Sequence, residues 1–132
     1  MKKVLFFVPA ILYYTLIFIL SSLQVKGEVS LPFFDKGLHL VEFAILGFLL
    51  SLGFFLGFGF SVRVKSVFIL TSGILLGCLD ELHQYFVPER SFEVLDMVAD
   101  SIGIFVGLIV FFYLSRTHRG RVIAERFEKI GE

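Results

Sequence analysis

The polar side chains that could carry chemistry fall in two short stretches of an otherwise apolar chain of 132 residues. The first stretch, DKGLHLVE, supplies Asp35, Lys36, His39 and Glu42. The second, LDELHQYFVPERSFEVLDMVAD, covers residues 79–100 and supplies Asp80, Glu81, Gln84, Arg90, Asp96 and Asp100. Because spacings of three and four residues bring side chains to one face of a helix, each stretch predicts a polar face.

These residue types are suited to three kinds of chemistry. Carboxylates and imidazole are ligands for a hard or borderline divalent metal, and six residues could offer them: His39, Glu42, Asp80, Glu81, Asp96 and Asp100. The set predicted to bind a metal is Glu42, Asp80, Asp96 and Asp100. General acid–base catalysis needs titratable groups, and the candidates are His39, Glu42, Asp80, Glu81 and Asp96, with His39 or Glu42 as the base. Anionic and polar ligand groups need donors and acceptors, and the candidates are Asp35, Lys36, Gln84, Arg90 and Asp100.

No established catalytic motif narrows this choice. The zincin pattern H-E-x-x-H is absent, and no Ser/His/Asp set has a recognisable motif context. The crowding of carboxyl groups predicts that some are protonated, or that a divalent metal or a cationic ligand compensates them. Structural roles stay open: Asp35 as a helix cap, Asp96 as a first-turn acid, His39 as a packing residue, and Lys36 and Arg90 as ordinary ion-pair partners.

The elements that position these groups are predicted to be membrane-spanning helices. The chain is 57% hydrophobic, its mean hydropathy is +0.89, and a span needs roughly 20 apolar residues. Four stretches qualify, at about 4–23, 38–60, 66–87 and 94–115. They predict an all-α integral membrane four-helix bundle with short loops, in a domain of residues 1–115. The first is predicted to be a retained span, because its apolar run is longer than a signal-peptide core.

The basic residues predict the orientation of this bundle. Nine of the twelve lie at the amino terminus, in the second loop or in the tail, which places both termini in the cytoplasm. The tail, residues 116–132, is predicted to be either a basic amphipathic helix on the cytoplasmic membrane surface or a frayed segment. A net charge of zero gives no indication of a nucleic-acid partner.

Depth within the bilayer predicts where the polar groups meet. Glu42, Asp80 and Asp100 lie roughly 6–10 Å inside the outer ends of three helices, at 1.5 Å per residue. Charges at such depth are unfavourable in lipid, so a pocket between spans two, three and four is predicted, open to the outside, with span one as a packing wall. Small-residue pairs predict close helix contacts, at Gly73 and Gly77 and at Gly103 and Gly107.

The two polar stretches resemble the motifs of the VanZ-like family. DKGLHLVEFAILGFLL is similar to its D-K-x-x-H helix, and LDELHQYFVPERSFEVLDMVADSIGIFVG to its D-E-x-x-Q, P-x-R and D-x-x-x-(N)-x-x-G-x-x-x-G motifs. The resemblance covers roughly residues 4–115. Glu89 stands where glycine is common, and Asp100 where asparagine is usual, so the second departure adds an anion to the site.

The resemblance implies a small protein of the bacterial cytoplasmic membrane, in a family whose name-giving member is linked to teicoplanin resistance. It implies no established reaction. Two interpretations stay open: a pocket that binds a lipid head group or a lipid-linked cell-wall precursor, and a hydrolase or transferase, with or without a metal, that acts on such a lipid. Proton or ion conduction is disfavoured, because the inner halves of the spans offer few polar groups.

Overall fold

The computed structural model describes residues 2–23, 32–88 and 90–117, and within these ranges every regular element is a helix. A 3₁₀ segment at Lys2–Phe7 leads into α1, Val8–Ser21. The other helices are α2, Pro32–Gly57, α3, Val62–Tyr85, and α4, Val94–Ser115. Four stretches are long and apolar enough to cross a membrane: Lys3–Ser21, Phe34–Gly57, Val62–Tyr85 and Val94–Ser115. The predicted all-α fold with four spans is confirmed.

Two helices begin earlier than the apolar runs predicted. Helix α2 begins at Pro32 rather than near residue 38, and proline suits a first helical turn because its φ is fixed and it lacks an N–H. Helix α3 begins at Val62 rather than residue 66, after Ser61, whose hydroxyl accepts a hydrogen bond from the backbone N–H of Val64 at 3.5 Å. Asp35 therefore lies inside the first turn of α2 rather than capping it.

Helices α2 and α4 form the closest contact of the bundle, and glycines make that contact possible. A Cβ atom added to Gly103 would lie 2.5 Å from the carbonyl oxygen of Leu40. In the other direction, a Cβ atom on Gly47 would lie 2.6 Å from the carbonyl oxygen of Ile104. The two backbones are thus in direct contact, as small residues allow between membrane helices.

Helix α3 joins this pair through two further glycines. A Cβ atom on Gly73 would meet the side chain of Ile104 at 2.6 Å, and one on Gly77 would lie 3.1 Å from Oδ2 of Asp100. The Gly77 backbone therefore leaves the space that the Asp100 carboxyl group fills. The apolar core includes Phe43, Leu46, Ile69 and Ile104 of these three helices, all fully buried, together with Ala10 and Ile17 of α1.

Helix α1 completes the bundle from one side. Phe7, the last residue of the 3₁₀ segment before α1, packs against Gly53 of α2. In α1 itself, the Tyr14 hydroxyl donates a hydrogen bond to the carbonyl oxygen of Leu76 at 3.0 Å. Large apolar side chains point away from the core on every helix, including Leu12, Val41, Leu75 and Ile109. Such a surface suits acyl chains as the surrounding solvent.

Candidate functional site

A cavity of about 250 Å³ opens at the end of the bundle where α1 and α3 finish and α2 and α4 begin, which we call the pocket end. Apolar side chains of Leu20, Leu23 and Leu38 form part of its wall. The other lining residues are Ser21, Asp35, His39, Glu42, Asp80, Gln84 and Arg90. The structure therefore brings six of the predicted site residues to one cavity, and the remaining four lie beside it.

Asp80 joins α1 to α3 within this cavity. Its Oδ1 accepts a hydrogen bond from the Ser21 hydroxyl at 2.9 Å, and its Oδ2 accepts one from Nε2 of Gln84 at 2.8 Å. The Arg90 guanidinium in turn donates to Oε1 of Gln84 at 3.4 Å. Both Asp80 oxygens thus have a donor, and the carboxyl group is held in one orientation.

The contribution of α1 differs from the prediction. Span one was expected only to pack, but Ser21 donates to Asp80, and Leu20, Ser21 and Leu23 line the cavity. Ser21 and Ser22 end a long apolar run together, and the sequence pattern did not distinguish the one that faces Asp80. The signal that could have found it is the need of Asp80 for a donor in an apolar bundle.

His39 and Asp100 form a buried pair between α2 and α4. Nδ1 of His39 lies 3.0 Å from Oδ1 of Asp100, and the two residues are 6% and 0% exposed. Glu81 of α3 is also 0% exposed, and its Oε2 accepts a hydrogen bond from the backbone N–H of Glu93 at 3.0 Å. This carboxyl group therefore ties the end of α3 to the residue that precedes α4.

Lys36 forms the third polar contact at the pocket end. Its Nζ donates to Oε2 of Glu93 and to Oδ1 of Asp96, each at 2.7 Å. Lys36 directly follows the first turn of α2, and Asp96 lies in the first turn of α4. The ammonium group therefore fastens the beginnings of these two helices together, a structural role that the sequence analysis had left open.

The four predicted metal ligands do not form one group. Glu42 and Asp80 line the cavity, Asp96 pairs with Lys36, and Asp100 pairs with His39. Two other groups of three have ligand atoms within 4.8 Å of one another among the described residues: Asp35, His39 and Asp96, and His39, Glu81 and Asp100. Within the described residues, His39 is thus the common member of the possible cation sites.

The charges of the site are strongly unequal. Seven carboxyl groups face two permanent cations, Lys36 and Arg90; the carboxyl groups belong to Asp35, Glu42, Asp80, Glu81, Glu93, Asp96 and Asp100. Buried charges of one sign are unstable together unless protons or cations compensate them.

Glu89, which departs from the family motif, and the tail residues 118–132 lie outside the described residues.

A pH dependence follows from the contact between Lys36 and Glu93. The hydrogen bond from Lys36 lowers the pKa of Glu93, so folding favours the ionised carboxyl group. This stabilisation is complete above the unfolded pKa of about 4.3 and is lost as the pH falls through the lower folded value. We expect the unfolding temperature of the wild type in detergent to fall more steeply on acidification than that of Glu93→Gln. Parallel curves for the two proteins would contradict this.

The sequence comparisons agree with the motifs. Residues 2–115 match the VanZ/LLP1 family, a range that includes all four helices and every residue of the cavity. Searches of curated proteins and of solved structures gave no match. Since the family match covers most of the chain, the protein belongs to the VanZ/LLP1 family.

Proposed function

We propose that this protein binds a lipid head group, or a lipid-linked intermediate of the cell envelope, at the outer face of the bacterial cytoplasmic membrane. The observation that carries the proposal is the cavity itself, whose wall combines polar and apolar side chains and which opens at one end of a bundle of apolar helices. A ligand with a polar head and an apolar tail suits a cavity at this depth.

The orientation is part of the proposal. Lys2, Lys3, Arg63 and Lys65 lie at the end of the bundle opposite the cavity. Under the positive-inside rule that end faces the cytoplasm, together with both termini, and the pocket end faces outward. The ligand would therefore reside in the outer leaflet.

The lining residues suggest how a head group would bind. Arg90 has a guanidinium group that can contact a phosphate in a bidentate manner, and Gln84 orients it. Glu42 and Asp35 can accept hydrogen bonds from sugar hydroxyls or amines, while Leu20, Leu23 and Leu38 contact the first carbons of the tail. Such a pocket would favour a phosphate-containing head group that also carries donors.

A contribution to teicoplanin resistance would follow if the bound lipid were a cell-wall precursor. A precursor held in the pocket is shielded from an antibiotic that binds it from outside. Expression of the wild type in a susceptible strain is then expected to raise the inhibitory concentration of teicoplanin, and variants that lose lipid should lose this effect in proportion.

The direct test is the lipid that accompanies the purified protein. We expect Arg90→Gln to reduce the enrichment of the bound lipid class about tenfold, because a charge-assisted contact with phosphate is lost. Mass spectrometry of lipid extracted from detergent-purified protein, relative to the lipid of the host membrane, measures this enrichment.

Arg63→Gln is the matched control for this experiment. Arg63 is exposed in the first turn of α3, at the end opposite the cavity, so the same change removes a charge without touching the pocket. The proposal fails if neither wild type nor control enriches any lipid class, or if Arg90→Gln retains the full enrichment.

The contact between His39 and Asp100 favours a second candidate function. His39 lines the cavity, and Asp100 orients its imidazole, an arrangement that suits a general base in a hydrolase or transferase. Incubation of the purified protein with its co-purified lipid separates the two functions. Product that accumulates with wild type, but not with His39→Gln, would establish turnover, and unchanged lipid would leave binding alone.

A further inference from the structure

We infer that His39, Glu81 and Asp100 form a binding site for one divalent transition-metal ion, at the place where α2, α3 and α4 meet beside the cavity. Each helix supplies one ligand, and the three ligand atoms lie within 4.8 Å of one another. The inference does not depend on the proposed lipid ligand. It differs from the predicted set of Glu42, Asp80, Asp96 and Asp100, although His39 and Glu81 were among the residues that could offer ligands.

Two unpartnered oxygen atoms point to a ligand at this place. Oε1 of Glu81 and Oδ2 of Asp100 are fully buried and have no hydrogen-bond donor among the described residues. Both side chains are 0% exposed, so water does not solvate them freely. Because an unsatisfied buried carboxylate oxygen is strongly unfavourable, each of these atoms calls for a proton or a cation.

The position of Asp100 directs its free oxygen toward α3. A Cβ atom on Gly77 would lie 3.1 Å from Oδ2, and Gly77 precedes Glu81 by one helical turn. The free oxygen therefore lies against the face of α3 that presents the second unpartnered carboxyl group. His39 of α2 contacts the other oxygen of this carboxyl group: its Nδ1 lies 3.0 Å from Oδ1 of Asp100.

Charge balance is satisfied by a divalent ion at this place. The permanent cations nearby are already engaged within the described structure: Lys36 contacts Glu93 and Asp96, and Arg90 donates to Gln84. Two ionised carboxylates and one neutral imidazole around a divalent ion are electrically neutral together. A neutral group is far less costly in an apolar interior than two uncompensated carboxylates.

The neighbouring group of Asp35, His39 and Asp96 is less suited to this role. Asp96 already accepts a hydrogen bond from Lys36 at 2.7 Å, and Asp35 is only partly buried. Neither side chain has an unpartnered buried oxygen in the part of the chain that the structure describes. Asp35 therefore provides a control position, one turn of α2 away from His39.

The ligand set indicates which ion is suitable. Imidazole favours zinc and other transition metals, and carboxylates also accept manganese, so Zn²⁺ and Mn²⁺ are the ions to use as probes. A metal ion needs a deprotonated ring nitrogen of His39, so an ion bound at Nδ1 would displace the proton shared with Asp100, which would move to Nε2 or leave the site. The bound ion would join three helices beside the cavity and hold the cavity wall in place.

Metal titration of the full-length protein tests the inference. Protein purified in detergent and treated with a chelator is expected to bind about one Mn²⁺ or Zn²⁺ per chain, with a higher unfolding temperature once loaded. We expect Glu81→Gln and Asp100→Asn each to weaken binding about 100-fold, while Asp35→Asn retains the wild-type affinity. Binding is measured by calorimetry and elemental analysis.

Three results would overturn the inference. These are no ion bound to the wild type, full affinity in Glu81→Gln and Asp100→Asn, or loss of affinity in Asp35→Asn alone. Should the variants not fold, electron spin echo measurements on Mn²⁺-loaded wild type still decide the matter. A nitrogen coupling from one imidazole is expected, and an all-oxygen coordination shell would refute the site.

Discussion

Gly107→Ala is expected to prevent most of the protein from reaching its folded state. A Cβ atom at this position would overlap the carbonyl oxygen of Ala44 and lie 2.6 Å from the backbone nitrogen of Phe48. Both are backbone atoms inside α2, which cannot rotate away as a side chain can. The two helices would have to separate, and their separation would also disturb His39 and Asp100, which meet across the same contact.

The expected loss of stability is at the upper end of overpacking substitutions, about 3 kcal/mol or more. A free energy of that size is a large part of the total stability of a small protein, so little monodisperse protein should be recovered from detergent. Size-exclusion chromatography and unfolding in mixed micelles measure the two effects.

Gly37→Ala is the matched control. Gly37 lies in α2, and a Cβ atom there would meet nothing within 4 Å. Alanine should be neutral or slightly stabilising at that position, because it favours the helix by up to about 1 kcal/mol relative to glycine. Equal yields of folded protein from Gly107→Ala and Gly37→Ala would show that the contact between α2 and α4 is not as close as described.

The four spans could be predicted because their signal is local. Each apolar run reports its own length and hydropathy. The first residues of α2 and α3 lie four to six residues earlier than predicted, and the last residues of α1, α2 and α3 lie two or three residues earlier. The first residues of α2 and α3 include the charged residues Lys36 and Lys65. Charged residues lower the mean hydropathy, so the predicted spans began after them although the backbone there is already helical. A helix can extend beyond its apolar run where an ion pair or a cap satisfies its end, as Lys36 does with Asp96.

The partners of the polar residues could not be predicted, because they depend on the rotation of each helix in the bundle. Asp80 and Glu81 are adjacent, and successive helical residues point about 100° apart. Asp80 consequently contacts Ser21 of α1, whereas Glu81 accepts a hydrogen bond from the backbone of Glu93. The sequence predicted both residues at the site, but it did not show that Asp80 lines the cavity while Glu81 contacts the beginning of α4.

The pair of His39 and Asp100 illustrates the same difference. The sequence indicated that Asp100 adds an anion to the site, but not which group would face it. The approach of α4 to α2 through Gly103 brings Asp100 within 3.0 Å of His39. Glycine pairs predict that helices approach closely, yet they do not say which helices form the contact.

Lys36→Met is the second substitution for which we expect a large effect. It leaves Asp96, whose side chain is 5% exposed, without the ammonium group that now lies 2.7 Å away. Loss of one partner from a buried ion pair typically costs 3–5 kcal/mol, and the 22% exposure of the Lys36 side chain reduces the expectation to about 2–3 kcal/mol. Unfolding in mixed micelles measures the change in free energy.

A second substitution tests whether the unpaired charge of Asp96 causes the loss of stability in Lys36→Met. In the Lys36→Met background, Asp96→Asn removes the stranded charge and should restore more than half of the lost stability. Glu93→Gln serves as the comparison, because its side chain is 45% exposed and water can replace the contact with Lys36. If Lys36→Met destabilises the protein no more than Glu93→Gln, or if Asp96→Asn restores nothing, then Lys36 does not fasten α2 to α4 through a buried charge pair.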